Sequence, residues 1–338
     1  MDHSTRLALA DQNPELTKLL QDRPPAKGLD SAPSIQALRA HLSSLKRGLT
    51  QANTSSSSSI TYTETDQQIP TRDNTTITVR IHRPSVPPPE GSPGLVLFHG
   101  GGFCLGDCDN EVALCRRWTA LGGVAVNVAY RLAPEHPFPT AVEDAEDSLL
   151  WTTLHLAELG INPQKGYIIG GISAGANLAA VVAHLYRDKK HSPPLTGQYL
   201  CIPTTCDPAA LPDKYKDVYL SREQNKDALI LNEKSIDMFE GHYNPDPLSP
   251  LRSPLLFPSH AGLPPAYFQV CGADPLRDEG LLYEQILRED GVGTKLDVFP
   301  GLPHGFWSWF PEAGFSKDFQ AKTVEGLKWL LEHSSQAN

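Results

Sequence analysis

The sequence predicts an α/β fold: a mostly parallel central sheet with helices on both faces and a helical cap. Three observations carry this. From Gly94 onward, short and continuously apolar runs alternate with helix-like stretches, as expected of strands buried on both faces and joined by crossover helices. Residues 205–262 are rich in proline, poor in strand signals and too long for an ordinary connection. The first fifty or so residues show helical spacing and no strand. The two leftover segments fit one cap. The expected divisions are 1–52 (N-terminal helical part of the cap), 53–204 (first part of the core), 205–262 (cap insertion) and 263–338 (second part of the core).

In chain order, Leu16, Leu19 and Leu20 mark one helical face, and Ile35, Leu38, His41, Leu42 and Leu45 mark another. Pro24-Pro25 separates the two, and the second helix starts at Ser34 after Pro33. The serine run 55–59 reads as a solvated link. Strands are expected over 60–65 and 76–82, joined through the turn residues Thr71, Arg72, Asp73 and Asn74. A proline-rich surface loop over 84–93 follows. The alternation then runs strand 95–98, helix 111–121, strand 124–130 and a long helix 140–158, whose first half carries Glu143, Asp144, Glu146 and Asp147. Tyr167, Ile168 and Ile169 open a further strand, and 176–185 reads as a helix of good formers. Beyond the insertion, with its helix-like piece at 232–242, come strand 266–271, helix 279–290, strand 295–299 and helix 317–332.

Composition excludes several function classes. The 338 residues allow one large α/β domain or two ordinary ones, and 40% hydrophobic content supports a substantial core. A net charge of −10 argues against a nucleic-acid partner, because phosphate binding needs clustered Lys and Arg. No apolar run approaches the roughly 18 residues of a membrane span. The start, Met1 to Arg6, lacks the basic and apolar regions of a secretory signal. Six thinly spread cysteines then point to reduced thiols and a cytoplasmic protein. Cys104 with Cys108, or Cys201 with Cys206, finds no His or Cys to complete a tetrahedral set, so no metal is expected.

The chemistry is signalled by Gly171-Ile172-Ser173-Ala174-Gly175, a G-x-S-x-G between a strand and a helix. Such a turn holds a serine hydroxyl out at the C-terminal edge of the sheet, above a helix N-terminus that favours negative charge. A serine needs a base to take its proton and a carboxylate to orient that base. Asp274 lies on the turn after strand 266–271. It is preferred to Asp278, which is already a turn into the following segment. Position selects His304 among twelve histidines, since it sits between Gly and Pro on the loop after the last strand. The order Ser, Asp, His is that of α/β-hydrolases. Acyl transfer also needs N–H donors placed in advance for an oxyanion. His99-Gly100-Gly101-Gly102 follows a buried strand and lets successive amides turn into a site, with the Ala174 N–H as a third donor. Phe103, Trp307, Trp309 and Phe310 flank the two loops, as pocket lining or as core packing.

These motifs resemble the hormone-sensitive-lipase-like (bacterial type IV) family of α/β-hydrolase esterases. The matching blocks are residues 99–102, 130–139, 171–175, 274–279 and His304-Gly305-Phe306. Ile172 departs from the Asp or Thr that many members carry before the serine. The resemblance implies Ser173 as nucleophile, Asp274 and His304 as its partners, and Gly101, Gly102 and Ala174 as oxyanion donors. It implies a cap built from both leftover segments and hydrolysis of small to medium acyl esters; the serine mechanism needs no cofactor, and of the flanking aromatics Phe103 and Trp307 are the expected substrate contacts. The block 131–139 reads as structural, with Arg131 and Glu135 as a bracing pair. Two rivals stand beside this. One is a ligand-binding receptor like the gibberellin receptors, which resemble the family but lack the catalytic histidine that His304 supplies here. The other is a specialised esterase, lactonase or acyltransferase of a polyketide pathway, since esterases acting on acetylated polyketides in filamentous fungi resemble this chain in the block 171–178. Acyl length, alcohol group and a homodimer are left open.

Overall fold

The computed structural model describes residues 1–22, 28–29, 32, 34–52 and 62–334, without the side chains of 43 and 45–52. Pro24-Pro25, Pro33, the serine run, Ile60 and the Leu45 side chain lie outside the described residues. The chain opens with helices α1 (His3–Ala8), α2 (Pro14–Asp22) and α3 (Ile35–Ala52). The hairpin β1 (Tyr62–Pro70) and β2 (Thr76–Pro84) follows, then β3 (Gly94–Phe98), α4 (Val112–Ala120), β4 (Val124–Ala129), α5 (Thr140–Leu154) and α6 (Leu156–Leu159). Next come β5 (Tyr167–Ile172), α7 (Ala174–Asp188) and β6 (Gly197–Cys201). Between β6 and β7 (Ala266–Cys271) lie short 3-10 turns and helices α8 (Ser221–Gln224) and α9 (Glu233–Tyr243). The chain ends with α10 (Arg277–Glu289), β8 (Thr294–Phe299), α11 (Phe306–Trp309) and α12 (Gly314–Ser334).

The eight strands form one sheet in the order β1-β2-β4-β3-β5-β6-β7-β8, with β1–β2 and β2–β4 antiparallel and every other pairing parallel. This is the α/β-hydrolase fold. Side chains alternate across a strand, so Val96 and Phe98 join the apolar layer under α5 and α7, while Leu95 and Leu97 join the layer with Trp118 of α4 and Leu327 of α12. Helices on both faces explain why the strand is apolar at every position. Parallel pairing brings the C-terminal ends of β3, β5, β7 and β8 to one edge, with Phe98 opposite Gly171 and Cys271 opposite Phe299.

Three expectations need correction. The alternation of apolar runs predicts no strand between α7 and residue 266, yet β6 lies there. It is five residues long between Pro194 and Pro203 and carries Gln198, whose buried Nε2 donates to the Pro264 carbonyl at 2.9 Å. The helix expected over 140–158 breaks at His155, whose Nδ1 donates to the Trp151 carbonyl at 2.7 Å and which separates α5 from α6. Arg131 and Glu135 do not pair. Arg131 takes the buried Asp144 at 2.6 Å, with its own backbone N–H on the same carboxylate, and Glu135 accepts from Arg39 of α3 at 2.9 Å. The acidic start of α5 is thus a set of tethers, with Glu146 and Asp147 holding Arg72.

The first turns of the chain bear directly on the loops after β7 and β8. Gly301 N–H donates to the Leu9 carbonyl at 2.7 Å. A Cβ at Gly301, where φ is +67°, would lie 2.2 Å from the Asp11 carbonyl oxygen. Arg6 and Asp278, both buried, approach at 3.4 Å. Gly301→Ala should therefore cost about 1–2 kcal/mol for the positive φ and about 1–3 kcal/mol for overpacking. Thermal melts and steady-state kinetics check this: the melting point falls and kcat falls with it, since His304 is three residues away. An unchanged melting point contradicts the contact.

Histidine burial gives the molecule an acid-sensitive core. His184 of α7 stacks on Phe257 at 4.0 Å, donates from Nε2 to the Tyr283 hydroxyl (3.0 Å) and accepts Arg187 Nη2 at Nδ1 (3.2 Å). Burial first, then His260 and Arg187, lower its pKa from 6.5 to about 2. Below pH 6.5 the unfolded chain takes up a proton that the native state refuses, so stability is complete above 6.5 and declines as the pH falls toward 2. The slope is about 1.4 kcal/mol per pH unit for this one group. Melts at pH 7.0 and 5.5 should show a drop that shrinks in His184→Gln. An equal drop in both proteins refutes the assignment.

Candidate active site

The turn from β5 into α7 is tight enough that its residues have no space to spare. A Cβ on Gly171 would lie 2.2 Å from the Gly175 carbonyl, and one on Gly175 would lie 2.0 Å from the Phe98 carbonyl oxygen. Ser173 sits at the apex with φ +56° and ψ −117°, a conformation that costs a non-glycine residue about 1–3 kcal/mol. The strain is held by the backbone: Ser173 N–H donates to Cys201 at 2.8 Å, and the Ser173 carbonyl accepts from Asn177 at 3.1 Å. The hydroxyl therefore stands at the end of a strand pinned on both sides, against the floor of a cavity.

Across that cavity the loops after β7 and β8 bring two more side chains to it. His304 Nε2 is 3.0 Å from Ser173 Oγ, and His304 Nδ1 is 2.7 Å from Asp274 Oδ2. A carboxylate has no proton to give, so Nδ1–H donates to Asp274, and the bare Nε2 accepts from the serine hydroxyl. All three groups are buried. Asp274 is itself fixed, because its Oδ1 accepts the Leu276 N–H at 2.9 Å and its carbonyl accepts from Asn225 at 3.0 Å. The three residues selected from sequence thus form one hydrogen-bonded chain, although 131 and 30 positions separate the paired residues.

Gly101, Gly102 and Ala174 line the same cavity. Among the described residues the N–H groups of Gly101 and Gly102 find no hydrogen-bond acceptor, and Ala174 N–H, in the first turn of α7, has no intrahelical acceptor. Phe103, Trp307 and Trp309 also line it, whereas Phe310 does not and packs against Phe315. Phe103 is locked by stacking on Tyr243 of α9 (4.0 Å), and Trp307 by stacking on Phe319 of α12 (3.8 Å). The cavity, about 190 Å³, is lined from the 205–262 segment by Ile230, Leu231, Ile236, Phe239 and Glu240. None of these five residues belongs to a motif visible in the sequence. The helix was legible, and the spacing of Ile236, Phe239 and Tyr243 along α9 was the available signal that one face turns inward.

This arrangement can transfer a proton from a serine to a histidine held by a carboxylate, beside uncommitted amide donors. The profile of the alpha/beta hydrolase fold family matches residues 95–308. A carboxylic ester hydrolase, LipN, of Mycobacterium tuberculosis is 39% identical over 269 residues, 77% of this chain and 68% of the relative. The chain belongs to the hormone-sensitive-lipase-like esterases. An AB hydrolase superfamily protein of Schizosaccharomyces pombe is 37% identical over 323 residues, 95% of this chain and 94% of the relative. The crystal structure of a vibralactone cyclase superposes with a TM-score of 0.88 at 36% identity, covering 97% of each chain. As one of the hormone-sensitive-lipase-like esterases, this protein is an enzyme of the carboxylesterase class and acts on esters. Among the described residues no helix is long and apolar enough to cross a membrane.

Proposed function

We propose that this esterase hydrolyses small to medium acyl esters through a covalent acyl-enzyme, with Ser173 as nucleophile, His304 as general base and acid, and Asp274 as the residue that holds the imidazole. The observation that carries the reading is the continuous chain Ser173 Oγ to His304 Nε2 (3.0 Å) and His304 Nδ1 to Asp274 Oδ2 (2.7 Å). His304 takes the serine proton as Oγ attacks the ester carbonyl. The tetrahedral oxyanion is held by the Gly101, Gly102 and Ala174 N–H groups, and the alcohol leaves with the proton from His304. Water deprotonated by His304 then releases the acid. Asp274 stays charged throughout and stabilises the imidazolium. The route uses only side chains and amides of this chain, and water. The described residues of 1–52, together with 205–262, form the cap that bounds the substrate, with Phe103 and Trp307 against it.

Stopped-flow mixing with p-nitrophenyl esters from acetate to dodecanoate tests the reading. Short and medium chains should turn over fastest, with a burst of p-nitrophenol close to one equivalent per chain wherever deacylation is slower than acylation. Release no faster than with heat-denatured protein defeats it. The likeness to a vibralactone cyclase favours a second reading, in which a hydroxyl of the same substrate, rather than water, intercepts the acyl-enzyme and closes a lactone.

A further inference from the structure

One wall of the cavity is polar, and nothing in the proton-transfer chain uses it. Arg222 of α8, Thr204 and Glu240 of α9 face the cavity among otherwise apolar cap residues. Arg222 is fixed from behind: its Nε and Nη2 both donate to Glu279 Oε1, at 3.0 and 2.6 Å. Glu279 is fully buried in the first turn of α10 and spends its other oxygen on Thr204 Oγ (2.8 Å) and on the Thr205 and Cys206 N–H groups (2.8 and 3.2 Å). Glu279 therefore fixes the direction of the Arg222 guanidinium. Tyr219 is a further partner of the guanidinium. Arg222 has five N–H groups, of which Nε and Nη2 are engaged by Glu279, and its side chain, 18% exposed against 0% for Glu279, lines the cavity. Glu240 mirrors it as an acceptor. Arg252, buried behind it, binds both its oxygens at 2.6 and 3.3 Å and reaches Thr204 Oγ at 3.3 Å.

The block 277–279 explains why this wall stays in place. Asp278 Oδ2 accepts the Leu220 and Ser221 N–H groups at 2.7 and 2.8 Å, so the segment that carries Arg222 is stapled to the helix that begins three residues after Asp274. The wall is therefore preorganised with respect to the serine. A pocket meant for plain alkyl chains gains nothing from a guanidinium and a carboxylate, because an alkyl group displaces their water and leaves them unpaired. An anionic group does not suit the wall either. Glu111, Glu240 and Glu279 against Arg222 and Arg252 sum to three negative and two positive charges, so an anion gains little here.

We propose that Arg222 and Glu240 form a subsite for an uncharged oxygen function, a ketone or a hydroxyl, carried by the substrate several bonds from the ester. Arg222 donates to that oxygen, and Glu240 accepts from it when it is a hydroxyl. The substrate class is an oxygenated ester, and the inference rests on the ester-hydrolase reading of the same cavity.

Matched substrates test it on the acyl side with p-nitrophenyl pentanoate, p-nitrophenyl 4-oxopentanoate and the p-nitrophenyl monoester of succinate, and on the alcohol side with pentyl acetate and 5-hydroxypentyl acetate. The intact protein should favour the ketone or hydroxyl member of at least one pair by about tenfold or more in kcat/KM, with the succinate monoester the poorest of the acyl set. In Arg222→Met, and in Arg222→Met combined with Glu279→Gln to avoid an orphaned buried carboxylate, the ratio within that pair should collapse toward one. A ratio near one in both pairs for the intact protein, a preference for the succinate monoester, or a ratio that survives in a folded Arg222→Met protein overturns the proposal. The intact-protein ratios decide it even where the variants fail to fold. Failure of the ester-hydrolase reading looks different, since no member of either series is then cleaved.

Discussion

Ser173→Ala is expected to lower kcat for p-nitrophenyl acetate by about five to six orders of magnitude, leaving only what bound amide donors achieve without a nucleophile. The expectation follows from geometry. Ser173 Oγ is the hydroxyl that His304 Nε2 reaches at 3.0 Å, and its backbone is held at φ +56° by bonds to Cys201 and Asn177 that do not involve the side chain. The alanine protein should therefore keep its fold and melt within a few degrees of the parent, so lost turnover cannot be laid to unfolding. Steady-state assays beside thermal melts check both halves. Turnover within tenfold of the parent removes Ser173 from the chemistry.

Asp274→Asn should cost about four orders of magnitude in kcat with little change in KM. An amide can donate where the carboxylate only accepted. His304 Nδ1 then loses its reason to carry the proton, the tautomer with Nε2–H becomes available, and Nε2 can no longer accept from Ser173. Asp278→Asn is the informative comparison, being four residues away and equally buried. Asp278 touches Arg6, Arg277, Leu220 and Ser221 but not His304. Its loss should lower the melting point more than Asp274→Asn does and lower kcat far less. The reverse ranking of the two kcat values contradicts the assignment of the acidic partner.

How much of this was legible depends on whether the deciding contact is local. Strands such as β3 and β5 are apolar at every position because both sheet faces are covered, and an unbroken apolar run is visible in one dimension. Ser173 and Asp274 lie directly behind the fully buried strands β5 and β7, whereas His304 follows β8, which is half-buried and mixes Lys295 and Asp297 with Leu296 and Val298, so there the Gly and Pro residues of the loop mark the position. β6 escaped because its polar residues are satisfied by distant partners: Gln198 by the Pro264 carbonyl, and Tyr199 by Gln269 at 2.6 Å. Arg131 was mispaired for the same reason. Glu135 is near in sequence, but Asp144 is the buried carboxylate that also receives the Arg131 N–H. Arg222 and Glu240 were invisible because their orientation is set by Glu279 and Arg252, which are far along the chain or hidden behind the wall.

The central claim, a serine made nucleophilic by one particular histidine, is tested most directly by mass spectrometry after incubation with a fluorophosphonate. One adduct per chain is expected, on the peptide containing Ser173, and none over the same interval in His304→Ala. Adduct on another residue, or undiminished labelling of Ser173 without His304, contradicts it.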